Sequence, residues 1–112
     1  MNKLLQVLPV LLMAQAFATE PVQPAPAPHR YIVERTFPQG ALDGLDAALK
    51  AQVNANNAKY GVHWVMSYAN AQKTKTYCVY EAPSTEAIRS AANANKLPVD
   101  SITEVPVTLL PQ

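Results

Sequence analysis

The chain has 112 residues, of which 49% are hydrophobic and 15% are charged, and its formal net charge is +1. A chain of this length is typical of a single domain. Because the net charge is so close to zero, the chain has no strong electrostatic attraction for nucleic acid, and we expect no nucleic-acid partner. The single cysteine excludes a disulfide framework and a thiolate zinc cage within one chain.

The N-terminus has the pattern of a secretory signal peptide. Lys3 supplies a positive charge, residues 4–13 are mostly apolar, and a run of small residues ends in Ala16-Phe-Ala18. The apolar run is shorter than the roughly 20 residues that span a bilayer, which favours cleavage over an uncleaved anchor. We therefore predict a signal peptide at residues 1–18, a periplasmic or secreted mature protein, and no stable membrane insertion after cleavage.

Residues 19–29 form a proline-rich segment. Proline fixes the backbone angle φ and lacks a hydrogen-bond donor, so the segment is predicted to be a disordered spacer of extended, polyproline-II-like character. Such a spacer could also hold the domain away from a membrane or wall. The folded domain is predicted to comprise residues 30–112.

The first half of this domain is predicted to contain a strand and a helix. Residues 30–36 alternate apolar with polar side chains, which places Tyr31, Val33, Arg35 and Phe37 on one face. A helix is then indicated by apolar residues at helical spacing, beginning at Leu42 and continuing through Leu45, Leu49 and Val53. Gly61 suits the left-handed position that ends a helix.

The second half is predicted to contain three strands and one helix. Residues 62–69 and 75–82 are β-rich runs joined by a polar turn, as in an antiparallel hairpin. Ser84 is a suitable N-cap for a helix that breaks at residues 97–100. A last strand covers residues 102–109, where Pro106 indicates a sheet edge or a bulge because it has no N–H to donate.

The order βαββαβ predicts a ferredoxin-like α+β fold, with a four-stranded antiparallel sheet and both helices on one face. Two helices cannot cover both faces of the sheet. A sheet face with apolar groups and no covering layer favours association, so we predict a homodimer through the open face.

Several runs of the domain resemble a family of small, uncharacterised bacterial proteins that includes a streptomycete nickel-binding protein. The most specific run is Tyr77-Cys-Val-Tyr-Glu-Ala-Pro83, and the others are Tyr31-Ile-Val-Glu-Arg-Thr-Phe-Pro38, Val62-His-Trp-Val-Met-Ser-Tyr68 and Leu97-Pro-Val-Asp100. The resemblance implies a ferredoxin-like fold and a homodimer. It also shows a departure, because many members carry histidine where Met66 stands, and some also where Tyr68 stands.

Three residues are the candidate ligands for a divalent metal such as nickel: His63, Glu34 and Glu81. Imidazole is the usual ligand for nickel, copper and zinc, and carboxylates can complete such a site. His63 could bind together with either glutamate or with its symmetry mate across a dimer. The alternatives are an exposed histidine that contacts water or a hydroxyl, and glutamates that form salt bridges. Strict alternation places His63 on the face opposite Trp64, Met66 and Tyr68.

The remaining chemical candidates have structural interpretations. Cys78 lacks a neighbour that would stabilise its thiolate, which favours packing in the core, with an intermolecular disulfide as the alternative. The aromatic residues of three strands could form core and interface, or could line a small-molecule pocket: Tyr31, Trp64, Tyr68, Tyr77 and Tyr80. No catalytic motif is found.

The sequence therefore favours an exported, dimeric, non-enzymatic binding protein for a divalent metal such as nickel. One alternative is a small enzyme similar to ferredoxin-fold oxygenases and isomerases, with His63 as the base in an aromatic pocket. A second alternative is a purely structural interaction module.

Overall fold

A computed structural model describes residues 27–112 of the chain. The predicted signal peptide and most of the predicted spacer lie outside these residues. The elements in chain order are β1 (His29–Thr36), α1 (Ala47–Ala58), β2 (His63–Ala69), β3 (Lys75–Ala82), α2 (Thr85–Asn95) and β4 (Ser101–Glu104). His29, at the end of the predicted spacer, is already part of β1, where it pairs with Ala82.

The four strands form one antiparallel sheet in the order β2-β3-β1-β4. This order and the two helices confirm the predicted ferredoxin-like α+β fold. The two central strands carry alternating buried residues, as strands that are covered on one face do. The core lies between this covered face and the helices, and its buried apolar residues are Tyr31, Val33, Val62, Cys78, Tyr80, Ala82, Ile88, Ala91 and Ala92. Cys78 is thus a core residue, as predicted.

Helix α1 begins five residues later than the apolar spacing predicted. The side chain of Asp46 accepts a hydrogen bond from the Leu49 amide at 2.9 Å, which makes Asp46 the N-cap. Residues 39–44 form turns, and Gly40 has a φ of +86°, a left-handed value that glycine adopts without a steric penalty. Leu42 and Leu45 therefore precede the helix and are not part of its apolar stripe.

The two helices contact each other through asparagine side chains. Asn56 Nδ2 donates to Asn95 Oδ1 at 2.9 Å, and Asn95 Nδ2 donates to Asn57 Oδ1 at 3.0 Å. Helix α2 is capped by Ser84, whose hydroxyl accepts from the Ala87 amide at 3.1 Å, as predicted. Its Ile88 and Ala91 enter the core, so α2 is the helix that carries the apolar contact with the sheet.

Strand β4 is shorter than predicted. It ends at Glu104, and the last backbone hydrogen bond to β1 is donated by Val105 to the Arg30 carbonyl at 2.9 Å. The next residue, Pro106, has no N–H to continue the pairing, so the following residues are not strand. As predicted from this proline, β4 lies at an edge of the sheet.

Candidate metal centre on the open face of the sheet

The face of the sheet opposite the helices, called the open face below, is not covered by any part of residues 27–112. The register places on it residues from the three longest strands, namely Arg30, Ile32, Glu34, His63, Met66, Tyr68, Lys75, Tyr77, Val79 and Glu81. Met66, Tyr77 and Tyr68 are 46%, 43% and 63% exposed. Apolar side chains thus lie in the middle of this face, with charged ones toward its ends.

A β-bulge in β2 changes which residues share the open face. The register shifts between Trp64 and Met66, so Val65 is the extra residue. His63 pairs with Glu81 before the bulge and Met66 pairs with Val79 after it, and both partners lie on the open face. The prediction that His63 lies opposite Met66 and Tyr68 was therefore wrong, because strict alternation allows for no inserted residue.

The register brings His63 and Glu81 together on the open face. They are directly paired across β2 and β3, a position where opposite Cβ atoms are about 4.5–5.5 Å apart. The His63 side chain is exposed and forms no side-chain hydrogen bond with another residue of the described range. Glu81 Oε2 lies 3.4 Å from Arg30 Nη2, a partly exposed ion pair that a competing cation can displace.

Glu34 lies on the open face but apart from His63 and Glu81. It pairs with Tyr77, four residues along β3 from Glu81, which corresponds to about 13 Å along the strand. Its carboxylate lies 3.6 Å from Lys75 Nζ, which agrees with the salt-bridge interpretation. The structure thus brings two of the three candidate ligands together and leaves the third with a lysine.

Within residues 27–112, one copy of the chain has too few ligands in one place for a complete metal site. Residues 27–112 contain no cluster of three or more histidine, cysteine, aspartate or glutamate side chains that could hold a metal. Imidazole nitrogen and carboxylate oxygen are nevertheless donors that nickel accepts. His63 and Glu81 therefore fit such an ion in kind, and further ligands must come from elsewhere.

A network of charged side chains lies at the end of the open face that is away from His63 and Glu81. Asp100 Oδ2 accepts hydrogen bonds from Thr36 Oγ1 at 2.5 Å and from Lys75 Nζ at 3.0 Å. The hydrogen bond from Thr36, followed by that from Lys75, lowers the pKa of Asp100 below its usual value of 3.8. The same hydrogen bond from the ammonium group raises the pKa of Lys75 above 10.5. This network holds Lys75 beside Glu34.

One histidine–glutamate contact was not predicted from the sequence. His29 Nδ1 lies 2.7 Å from Glu104 Oε2, and both side chains are about half exposed. The two residues line a surface depression of about 450 Å³ that Arg30 and Glu81 also border. No local pattern could have indicated the contact, since 75 residues separate the partners and only the pairing of β1 with β4 brings them together.

The five aromatic residues divide between the two faces. Tyr31 and Tyr80 are buried in the core, and Trp64, half-buried, donates from Nε1 to Ser67 Oγ at 2.9 Å. Tyr68 and Tyr77 lie opposite each other on the open face. Because Trp64 and His63 lie on opposite faces, His63 is not placed to act as a base among the buried aromatic residues.

The fold and the uncovered sheet face define a small ferredoxin-like α+β domain. Residues 31–105 match the family model described as "Nickel responsive protein SCO4226-like". The match spans most of the chain, and the chain therefore belongs to the nickel-responsive SCO4226-like family.

A solved structure supports the same fold. The chain is similar to SCO4226 from Streptomyces coelicolor A3(2), a crystal structure to which it is 20% identical, with a TM-score of 0.53. The alignment covers 71% of this chain and 99% of that one. No curated protein matches the chain. Among residues 27–112, no helix has both the length and the apolar character needed to cross a membrane.

Proposed function

We propose that this protein is an exported dimer that binds a divalent metal such as nickel at the open face of its sheet. The observation that carries the proposal is the direct pairing of His63 with Glu81 on an exposed face. Membership of a family described as nickel-responsive supports the choice of metal.

The dimer is proposed from the character of the open face. Met66, Tyr68 and Tyr77 expose large apolar side chains there, while the helices cover the other face. Exposed apolar surface of this kind on a small domain favours association, and an isologous contact between two copies buries the same residues on both. A second copy of this chain is therefore the proposed cover.

The metal site is proposed to be shared between the two copies. His63 and Glu81 of one chain supply two ligands, and the same pair from a second chain brings the number to four, a coordination number common for nickel in proteins. Glu81 must exchange its contact with Arg30 for the ion. The bound metal would link the two chains, and the chain's own residues would set its affinity.

Export is proposed from the N-terminal residues, which lie outside the described range. The basic residue, the apolar run and the Ala16-Phe-Ala18 site together match a signal peptide. N-terminal sequencing of protein recovered from the periplasm or medium tests this part. We expect the mature chain to begin at Thr19, whereas a chain that still begins at Met1 and stays with the membrane would contradict cleavage.

The metal site is tested by titrating the purified protein with nickel and following the heat of binding. Replacement of either ligand, as His63→Ala or Glu81→Gln, should lower the affinity by about tenfold or more. The matched control is Glu34→Gln, which removes the same charge from the same face but at a carboxylate beside Lys75. Equal loss in Glu34→Gln, or unchanged binding in His63→Ala, would show that the pair is not the site.

A further inference from the structure

The other face of the sheet holds a cavity that the proposed metal function does not use. It lies between β1, β2, β3, helix α1 and the turns that precede the helix, and its volume is about 490 Å³. Its walls are mostly apolar, with side chains that include Phe37, Leu42, Leu45, Val53, Trp64 and Leu97. Leu42 and Leu45 precede α1, and Asn57 is the one buried residue of that helix, so α1 packs only loosely over this end of the sheet. A volume of this size accommodates a small organic molecule.

Arg35 lines this cavity and forms no salt bridge with a carboxylate of the described residues. The residue is 3% exposed. Nη1 donates to the Pro98 carbonyl at 2.5 Å and Nη2 donates to the Tyr80 hydroxyl at 3.2 Å, whereas Nε has no partner in the described structure. A buried charge with only neutral partners and an unsatisfied N–H is costly unless something else compensates it.

The nearby titratable groups of the described residues place no negative charge in direct contact with Arg35. Burial raises the pKa of Tyr80 above 10.0, so its phenol is neutral at physiological pH. The carboxylate of Asp100 is hydrogen-bonded to Thr36 and Lys75. The charge of Arg35 makes only the smallest contribution to the lowered pKa of Asp100, so these two groups attract each other without direct contact. Within the described part of the chain, Arg35 forms no ion pair with a carboxylate.

The remaining charges around the cavity are also positive. Lys50 and Lys73 line it, and no aspartate or glutamate of the described residues does. Lys73 is positioned by the β2–β3 turn, where it has a φ of +57° and donates its amide to the Asn70 carbonyl at 3.0 Å. An apolar cavity with three cations and no anion complements a ligand that is apolar with one negative group.

We propose that this cavity binds a small amphipathic carboxylate, whose aromatic or aliphatic body lies among the apolar side chains and whose carboxylate pairs with Arg35. A guanidinium group matches the planar shape of a carboxylate, and the ligand would supply the contacting negative charge that no carboxylate of the described residues gives Arg35. The site is separate from the proposed metal site, because His63 and Glu81 lie on the opposite face of the sheet.

The experiment uses Trp64, the single tryptophan of the chain, as a reporter within the cavity wall. The purified protein is titrated with 4-phenylbutyrate and, separately, with the neutral amide 4-phenylbutyramide, while the tryptophan emission is recorded. The carboxylate should give a saturable change with an affinity about tenfold or more above that of the amide, as expected when a buried cation loses its charged partner. Equal affinities, or no saturable change with the carboxylate, would overturn the proposal.

A second comparison assigns the effect to Arg35. Arg35→Met keeps an unbranched side chain and removes the charge, and it should abolish the preference for the carboxylate over the amide. The matched control is Arg89→Met, at an exposed residue of α2 that does not line the cavity, and it should retain the preference. A preference that persists in folded Arg35→Met would contradict the assignment. If Arg35→Met does not fold, the affinities of the unchanged protein for the carboxylate and the amide still test whether the cavity prefers a carboxylate.

Discussion

At the residue scale, Arg35 of β1 is a charged side chain that is buried among neutral groups. Arg35 alternates in register with Tyr31 and Val33, and the pattern of residues 30–36 correctly predicted that these three share a face. The pattern could not show that Arg35 meets only neutral partners, because Tyr80 and Pro98 are 45 and 63 residues away in the chain. Contacts of this kind follow from the register of the whole sheet.

Asp100 provides a prediction at this scale. Since its pKa is lowered in the folded protein, its contribution to stability is present above the ordinary pKa of 3.8 and is lost as the pH falls through the folded value. Asp100→Asn should therefore lower the melting temperature at pH 7. The difference from the unchanged protein should shrink below about pH 4 and then disappear.

The measurement is thermal unfolding followed by circular dichroism between about pH 2 and pH 7. Asp43→Asn is the control, since Asp43 is exposed and forms no ion pair within residues 27–112. A difference in melting temperature that is the same at every pH would show that the Asp100 carboxylate does not act through its charge.

At the element scale, the type of every helix and strand could be predicted, whereas several boundaries and one register could not. The alternation and the helical spacing are local signals, and they identified all six elements. Helix α1 starts late because Asp46 caps its N-terminus, although the apolar spacing already begins at Leu42. The bulge at Val65 could not be predicted from the local sequence, because each side chain of β2 could lie on either face of the sheet.

The two helices differ in how much they contribute to the core, and this leads to a second prediction. Ile88 of α2 is 1% exposed, whereas Leu49 of α1 is 43% exposed. Ile88→Ala should lower the free energy of unfolding by about 2–5 kcal/mol, because it removes buried methyl groups and leaves a cavity. Leu49→Ala should change it by less than about 0.5 kcal/mol.

Urea denaturation of both variants, analysed with a common slope, measures the two changes. Equal losses in the two variants would mean that α1 is packed as closely as α2. That result would also contradict the loose packing of α1 on which the cavity beside it depends.

At the scale of the whole molecule, the open face is the surface through which two copies of the chain are proposed to associate. The sequence predicted an uncovered face from the number of helices alone, and the structure has no covering layer there within residues 27–112. Which side chains occupy that face was predicted correctly for β1 but not for β2, because of the bulge. The pairing of His63 with Glu81 is therefore a property of the assembled sheet. Glu34 lies on the neighbouring strand β1, but the register places it opposite Tyr77 and away from Glu81.

The proposed dimer gives a third prediction. Tyr68→Lys places a charge in the middle of the proposed interface. Because dimerisation would remove water from this ammonium group, the variant should sediment as a monomer. Leu49→Lys introduces the same charge at an exposed apolar residue on the helix side and should leave the dimer unchanged. Analytical ultracentrifugation over a range of concentrations distinguishes the two, and an unchanged protein that stays monomeric throughout would contradict the dimer.

The measurement that tests the account most directly is native mass spectrometry of the purified protein with nickel. The shared site predicts a species of two chains and one nickel ion, and His63→Ala should remove the metal from it. Nickel bound to single chains, or a dimer that takes up no nickel at all, would contradict a metal site formed by His63 and Glu81 of two copies.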